Sequence, residues 1–228
     1  MRMISRIYDA DIPYTAVSNQ CYEAMRYNFE AVQVFPNMIG LCRHILKDSP
    51  VMVSALIAYP HGTFTAQQKA REIEECVALG ATQLEVCLNC LHARSGQWEQ
   101  VQEEMRAARR AAGKNRLLFV LEVEYLTQPQ VQKCCKLAVG EKLDGIVTST
   151  GLYSTVDANR QDVPIKATKQ DIARIKQVVG DGLDVVAQGF IRSPEHAREM
   201  LEAGADCISS EKPIHVIGEA WEGDVAYV

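Results

Sequence analysis

Short, continuous apolar runs alternate with amphipathic segments along the whole chain, and this alternation limits the folds that the chain can adopt. The clearest runs span 31–35, 51–59, 83–89, 117–123, 145–150, 184–188 and 207–210, with a less regular one within 3–9. Their apolar residues are mostly consecutive, which is typical of parallel strands covered on both faces. Eight such runs, each followed by a helical segment, predict an α/β fold. The predicted architecture is a (β/α)8 TIM barrel formed by a single domain that spans residues 1–228.

The segments between these runs carry recognisable helix starts and ends. Thr65 precedes Gln68, and Thr127 precedes Gln130, by the three residues of a capping box. Further starts and ends are marked by Thr168, Ser193, Gly80, Gly140 and Gly204. The alternative architecture is a doubly wound open sheet, which is less favoured because no Gly-x-Gly-x-x-Gly turn follows a run.

Overall charge and cysteine content narrow the class of protein. The formal net charge of −5 disfavours nucleic acid as the main partner, because phosphate binding favours a basic surface. No apolar stretch approaches the ~20 residues that span a bilayer, and the first residues lack the apolar core of a signal peptide. The eight irregularly spaced cysteines are therefore expected to be reduced thiols of a cytoplasmic protein that does not insert into membranes.

Several short motifs occur in the same order and at the same spacing as in one enzyme family. They are AVQVFP at 31–36, YPHG at 59–62, GATQLEV at 80–86, LEV at 121–123, TSTG at 148–151 and IR at 191–192. Together they resemble the deoxyribose-phosphate aldolases, over about residues 21 to 215. The resemblance implies a barrel enzyme that cleaves or forms bonds in a small-molecule substrate, a homodimer, and no cofactor.

The two lysines of that family fall on valines in this chain. Residues 144–151 read DGIVTSTG, and residues 185–192 read VVAQGFIR. The lysines of the family motifs KTSTG and KASGGIR align with Val147 and Val186. A class I aldolase needs a lysine amine to form the imine that accepts electrons, and valine cannot supply one. The resemblance therefore implies an aldolase scaffold that has lost the aldolase nucleophile.

The stretches that bind phosphate in the family also differ here. Gln188-Gly189-Phe190 stands at the family's Ser-Gly-Gly, and Ser210-Glu211-Lys212-Pro213 stands at its Thr-Ser-Ser-Gly. Glu211 would repel a dianion that backbone amides would otherwise hold, so a phosphosugar is not expected at this place. The residues in this region that are predicted to bind a substrate other than a phosphosugar are Gln188, Gly189, Arg192, Ser210 and Glu211.

Two glutamates are candidate catalytic residues. Strand alternation puts Glu85, Cys87 and Asn89 on one face of the fourth strand, which the resemblance makes the interior face. Glu122 alternates in the same way with Val120 and Glu124 on the fifth. A carboxyl inside a barrel needs a partner or has a raised pKa, and a raised pKa suits a general acid–base. The alternative is that these glutamates form structural ion pairs or lie at the solvent-facing rim.

Lys212 is the third candidate catalytic residue. It is the one lysine that the resemblance places at a strand end near the pocket, where its amine could bind an anionic group or form an imine from a new position. The alternative is a loop lysine that pairs with Glu211. Other residues are expected to hold the substrate through hydrogen bonds, and these are Gln33, Cys87, Asn89, Thr148, Ser149 and Gln188.

The leading hypothesis is an enzyme that acts on a small carbonyl or polyhydroxylated compound by imine-independent acid–base chemistry through an enolate. Aldol or retro-aldol cleavage, dehydration, isomerisation and cyclisation all share that step. A metal-assisted lyase, with a divalent cation on Glu85, Glu122, Asp9 or His61, is the second hypothesis, although no ligand spacing demands it. Cys87 and Cys90 lack the second pair of a zinc site, so no metal is expected. A non-catalytic binding protein that kept the barrel is the third.

Overall fold

The barrel predicted from the sequence is confirmed. The computed structural model describes residues 1–7, 11–156, 162–164 and 166–218. In this part of the chain, eight parallel strands close into a ring in the order β1-β8-β7-β6-β5-β4-β3-β2. The strands are β1 (Arg2–Arg6), β2 (Ala31–Val34), β3 (Met52–Ile57), β4 (Gln83–Cys87), β5 (Arg116–Val120), β6 (Gly145–Val147), β7 (Asp184–Gln188) and β8 (Cys207–Ser210).

Helices follow the strands and cover the outside of the ring. They are α1 (Tyr14–Arg26), α2 (Ile39–Ile45), α3 (Ala66–Ala78), α4 (Cys90–Arg94), α5 (Trp98–Ala112), α6 (Gln128–Gly140), α7 (Lys169–Val179), α8 (Pro194–Glu202) and α9 (Pro213–Val216). After β6 the chain forms an antiparallel hairpin from Ser154–Val156 and Asp162–Pro164, which the sequence did not predict. No helix in the described ranges is long and apolar enough to cross a membrane.

The helix starts predicted from the sequence are confirmed. Both capping boxes are present, and the Thr168 and Ser193 side chains accept hydrogen bonds from the first turns of α7 and α8. Of the predicted ends, Gly80 and Gly204 have φ angles of +107° and +106°, as a glycine that ends a helix often does. Gly140 differs because α6 runs through it, and Lys142 takes the left-handed conformation instead.

The fifth and sixth strands end earlier than predicted. β5 stops at Val120, Glu122 then adopts a left-handed φ of +50°, and Val123–Tyr125 forms a 3-10 turn. Glu122 and Glu124 therefore do not alternate along a strand, as the sequence analysis expected. They lie in a turn at the carboxyl end of β5, where active sites of (β/α)8 barrels are built.

The inside of the ring has an ionic layer at its amino-terminal end. Arg2 Nη2 lies 2.7 Å from Asp184 Oδ2 and 3.0 Å from Glu30 Oε1, and Arg116 contacts the same two acids. The hydrogen bond from Arg2 lowers the pKa of Asp184 below its usual range. Because catalysis in this fold occurs at the opposite end, this layer closes and stabilises the barrel.

An apolar layer lies above the ionic one. It is a cluster separate from the larger core between strands and helices, and its buried members are Ile4, Ala31, Cys87, Leu118, Val120, Val147, Val186 and Cys207. The eight cysteines of the chain are free thiols. Glu85 precedes Cys87 of this layer by two residues on β4, and Gln188 follows Val186 by two residues on β7.

Candidate active site

Glu85 lies inside the barrel with no exposed surface. From the facing strand, Gln188 Nε2 donates to Glu85 Oε1 at 3.0 Å and to the Ser149 carbonyl oxygen at 2.8 Å. The second carboxyl oxygen, Glu85 Oε2, is also buried, and the Gln33 side chain lies within hydrogen-bonding reach of the carboxyl. Burial raises the pKa of Glu85, against the opposing charge of Arg6 and the hydrogen bond from Gln188. A buried carboxyl with a raised pKa can act as a general acid.

Arg6 is an interior residue that the sequence analysis missed. Its side chain is 2% exposed, and its Nε donates to Gln33 Oε1 at 2.9 Å. A guanidinium stays charged in proteins, so the barrel holds a permanent cation whose field reaches Glu85. Strand alternation could have revealed it, because Ile4 faces the interior and Arg6 lies two residues further along β1.

Removing the charge of Arg6 is expected to raise the pKa of Glu85 further. We expect the ¹³C NMR titration midpoint of the Glu85 carboxyl, assigned with Glu85→Gln, to be higher in Arg6→Met than in the wild type. A carboxyl whose folded pKa is raised stabilises the fold fully below its unfolded pKa of about 4.3, and this contribution is lost as pH rises through the folded pKa. As the pH rises, the free energy of unfolding of Arg6→Met should therefore keep falling to a higher pH than that of the wild type. Arg6→Lys, which keeps the charge, is the control, and an unchanged midpoint in Arg6→Met would contradict the assignment.

Val147 and Val186 line the interior next to each other. They pair across the β6–β7 ladder, are fully buried, and belong to the same interior cluster as Cys87 and Val120. Burial also raises the pKa of the Cys87 thiol well above its usual value, so Cys87 is a neutral thiol at neutral pH. The wall beside the Glu85 carboxyl is therefore apolar.

The hydroxyl groups of Thr148 and Ser149 contact protein groups. Thr148 Oγ1 donates to the Gln188 carbonyl oxygen at 2.5 Å and accepts from the Gln188 amide at 2.9 Å, which joins the ends of β6 and β7. Ser149 Oγ donates to Glu124 Oε2 at 2.6 Å. In the structure each hydroxyl donates to a protein oxygen, and the role of both residues in binding substrate stays a prediction.

Glu122 lies beside these residues at the end of β5. Its side chain is 4% exposed, and its Oε1 accepts a hydrogen bond from the Thr150 amide at 2.7 Å. Burial and the neighbouring Glu124 carboxyl raise the pKa of Glu122 to about 8. Glu122 is therefore protonated at neutral pH, whereas an ordinary glutamate is ionised.

Three ring side chains lie close to these acids. The Tyr125 and Tyr153 rings are 5.0 Å apart and nearly perpendicular, and Tyr153 Oη lies 2.9 Å from Nδ1 of His61. Burial, and after it the charge of Glu122, raise the pKa of Tyr153 to about 12. Tyr153 is thus a neutral phenol, able to donate a hydrogen bond near the two acids.

Other predicted site residues lie around the ends of β7 and β8. Arg192 covers the Phe190 ring at 3.7 Å from its centroid and forms an ion pair with Glu211. Among the described residues the ion-pair partner of Glu211 is therefore Arg192, while Lys212 is exposed at the start of α9. Ser210 Oγ donates to the Ile191 carbonyl oxygen at 2.6 Å. Gly189 has a φ of +130° and brings its backbone against Ala167, where a Cβ would lie 3.2 Å from the Ala167 nitrogen.

Asn89 lies outside β4, on which the sequence analysis placed it. β4 ends at Cys87, and Asn89 is the cap of α4, with its side-chain oxygen accepting from the Leu91 amide at 3.2 Å. It therefore does not continue the interior face of the strand beyond Glu85 and Cys87. Asp9, named for a metal site, lies outside the described residues.

A model of the DeoC/LacD family aldolases matches residues 3–203. The chain belongs to this family. It is 34% identical over 206 residues to a deoxyribose-phosphate aldolase of Halalkalibacterium halodurans, covering 89% of this chain and 88% of the relative. It is 33% identical over 207 residues to that of Brevibacillus brevis, covering 91% and 89%.

Solved structures of DeoC/LacD relatives share the fold. A putative deoxyribose-phosphate aldolase from Coccidioides immitis superposes with a TM-score of 0.85 at 23% identity, covering 94% of this chain and 82% of the other. The aldolase from Aeropyrum pernix, described as tetrameric, gives a TM-score of 0.82 at 22% identity and covers 95% and 88%. At this level of sequence identity, the structural likeness confirms the barrel fold alone.

In this DeoC/LacD family member, a buried ion pair supports the end of β4. Lys69 of α3 is fully buried, and its Nζ donates to Glu104 Oε1 at 2.5 Å and to the Cys87 carbonyl oxygen at 2.6 Å. Glu104 of α5 also accepts from the Asn89 amide at 3.2 Å. The pair ties two helices to the strand that carries Glu85 and Cys87, and the sequence analysis missed both of its members.

The described residues offer no group of three or more His, Cys, Asp and Glu side chains that could hold a metal ion. Of the residues named for the metal-assisted hypothesis, Glu85 is hydrogen-bonded to Gln188 inside the barrel, and His61 contacts Tyr153. Cys87 faces the interior cluster, while Cys90 Sγ contacts the Leu121 carbonyl oxygen at 3.4 Å.

Proposed function

We propose that this protein is a lyase that acts on a small carbonyl or polyhydroxylated compound through an enolate and without an imine. The observation that carries the proposal is the Glu85 carboxyl, buried with a raised pKa beside Gln188 and an apolar wall. That wall contains Val147 and Val186, where the motif match places the lysines of the deoxyribose-phosphate aldolases. The curated relatives carry that enzyme name, which supports a carbonyl substrate of similar size.

The buried polar atoms suit the stabilisation of a developing oxyanion. Burial favours the protonated form of Glu85, which can donate its proton to a carbonyl oxygen. The Gln33 amide, within hydrogen-bonding reach of the same carboxyl, is a second buried donor. Oriented donors in a site without water stabilise an enolate more strongly than water does. Aldol cleavage, dehydration, isomerisation and cyclisation all begin with this step, and the substrate decides between them.

The relatives and the sequence bear on the cellular location and the oligomeric state of the protein. The bacterial relatives and the eight free cysteines support a cytoplasmic enzyme. The motif match favours a homodimer, while the Aeropyrum pernix relative is described as a tetramer.

Deuterium exchange tests the proposed reaction without knowledge of the natural substrate. The wild-type protein is incubated in D₂O with acetaldehyde, dihydroxyacetone or 2-deoxyribose 5-phosphate, and loss of the α-proton signals is followed by ¹H NMR. We expect catalysed exchange with at least one of the three compounds, and no covalent adduct after borohydride treatment. A borohydride-stable adduct on a lysine, with Lys212 the first to map, would establish an imine, and absence of exchange with all three would remove the proposed reaction.

A further inference from the structure

The interior of the barrel is covered at the end where a substrate would have to enter. Cys87 and Gln188 are the last residues of β4 and β7, at the carboxyl-terminal end of the ring, yet they are 1% and 0% exposed. Glu85 lies two residues earlier on β4 and has no exposed surface. Because active sites of this fold open at the carboxyl-terminal end, groups above these residues must move before a small molecule can reach them.

Two ring side chains meet across this covered end. Tyr153 Oη lies 2.9 Å from His61 Nδ1, and the two ring centroids are 6.2 Å apart. His61 follows β3 and Tyr153 follows β6, and in the closed ring these strands are separated by β4 and β5. The contact therefore does not join neighbouring strands, and it passes over the ends of the two strands between them. We call this hydrogen bond between His61 and Tyr153 the gate contact.

The turn that carries His61 is fixed on its neighbours. The Gly62 amide donates to the Ala58 carbonyl oxygen at 2.9 Å, and the Ala58 amide donates to Glu72 Oε2 on α3, also at 2.9 Å. Gly62 has a φ of +65°, and a Cβ there would overlap the Leu88 carbonyl oxygen, so the turn packs directly on the backbone after β4. His61 is therefore the fixed side of the gate contact.

The segment that carries Tyr153 is held less firmly. The Tyr153 ring is half-buried and meets the Tyr125 ring edge-on, with centroids 5.0 Å apart and ring planes at 84°. The preceding residue, Leu152, is 42% exposed, and its amide reaches Thr150 Oγ1 at 3.4 Å, which is a long hydrogen bond. Segments with exposed side chains and weak backbone hydrogen bonds open at little cost in free energy. Tyr153 is therefore the side of the gate contact that can move.

We propose that Tyr153 turns away from His61 to open the mouth of the barrel, and that this movement controls the access of small molecules to the interior. The gate contact is a single hydrogen bond between a half-buried phenol and an exposed imidazole. Such a bond contributes little net stability, because both partners bond to water when it breaks. The open state is therefore reached by thermal motion without a ligand. The inference concerns entry alone, and it holds for any reaction that the interior residues perform.

Labelling of a buried thiol measures how often the gate contact opens. Cys87 faces the barrel interior, whereas Cys76 and Cys134 lie in the outer core between strands and helices. The protein is treated with N-ethylmaleimide, and the modified fraction of each cysteine is followed by mass spectrometry of its peptides. Tyr153→Phe keeps the ring and removes the hydroxyl, so Cys87 should react about 2- to 10-fold faster. Cys76 and Cys134 should keep their rates.

The gate contact can also be removed from its other side. His61→Ala should accelerate the labelling of Cys87 to a similar extent. The double variant should react no faster than either single variant, because both changes break the same hydrogen bond. Tyr22→Phe, a change at an exposed tyrosine of α1, is the matched control and should leave the rate as in the wild type.

An unchanged Cys87 rate in either single variant would overturn the inference. An increase shared by the two cysteines of the outer core would overturn it as well, because the whole barrel would then be opening. Effects that multiply in the double variant would show that the two side chains act separately, with the same consequence. Labelling requires no substrate, so a confirmed gate contact without any α-proton exchange would refute the proposed reaction and leave this inference standing.

Discussion

Glu85→Gln is expected to lower the rate of α-proton exchange by about 10²–10⁴-fold, the range that a positioned general acid–base contributes. Glutamine has nearly the same shape, and its side-chain oxygen can still accept the hydrogen bond that Gln188 Nε2 gives to Glu85. The substitution therefore keeps the geometry of the site and removes the transferable proton. Exchange of the most reactive carbonyl compound, followed by ¹H NMR in D₂O, gives the rate ratio.

Folding of the Glu85→Gln variant should not explain its lost activity. Burial disfavours the ionised form of the Glu85 carboxyl and raises its pKa. An uncharged amide at this position should therefore leave the free energy of unfolding unchanged, or increase it above neutral pH. Glu99→Gln, an exposed change at the start of α5, is the matched control for both measurements. A rate within fivefold of the wild type in a folded Glu85→Gln protein would rule out Glu85 as the proton-transferring group.

Features determined by nearby residues could be predicted from the sequence. The continuous apolar runs gave every strand of the barrel, and the Thr65 and Thr127 capping boxes gave the starts of α3 and α6. The motif match also placed Glu85 on the interior face of β4, where the structure has it. The strand and helix patterns are local, so local geometry decides those outcomes, whereas the placement of Glu85 came from the order and spacing of motifs along the chain.

Features that depend on turns at the strand ends could not be predicted. β5 was extended past Val120 because its apolar run continues, and only the left-handed Glu122 shows that the strand has ended. That change of direction brings Glu124 against Glu122 and Ser149. The sequence alone likewise gave Thr148 no partner, because the Gln188 backbone that it contacts lies forty residues away along the chain.

The burial of Lys69 could not be predicted from the sequence for a different reason. Helical spacing puts Ala66, Ala70, Ile73 and Val77 on one apolar face of α3, but the buried residues of the helix are Lys69, Ile73 and Cys76. A lysine within an apolar stripe is normally assigned to the solvent face, since a buried charge needs a partner. Its partner, Glu104, lies on another helix, and no pattern within α3 points to it.

Lys69→Met is expected to lower the free energy of unfolding by about 3–5 kcal/mol, because removal of one member leaves the other as an unpaired buried charge. Glu104 is 2% exposed, and burial already raises its pKa against the opposing charge of Lys69. Without Lys69 this carboxyl must take up a proton, and the Cys87 carbonyl oxygen loses its donor. Denaturant unfolding at neutral pH measures the loss. Lys136→Met, an exposed change within α6, should stay within about 0.5 kcal/mol of the wild type.

A second variant separates charge from packing at this pair. In Lys69→Met/Glu104→Gln the remaining partner is neutral and can still accept the Asn89 amide, so part of the lost stability should return. The coupling energy calculated from the wild type, Lys69→Met, Glu104→Gln and the double variant measures the interaction between Lys69 and Glu104. Because the pair holds the end of β4, the single variant should also slow α-proton exchange, through displacement of the strand that carries Glu85. A loss below about 1 kcal/mol in Lys69→Met would show that water or movement of α5 solvates the Glu104 carboxyl, and the ion pair would then not be what fixes that strand.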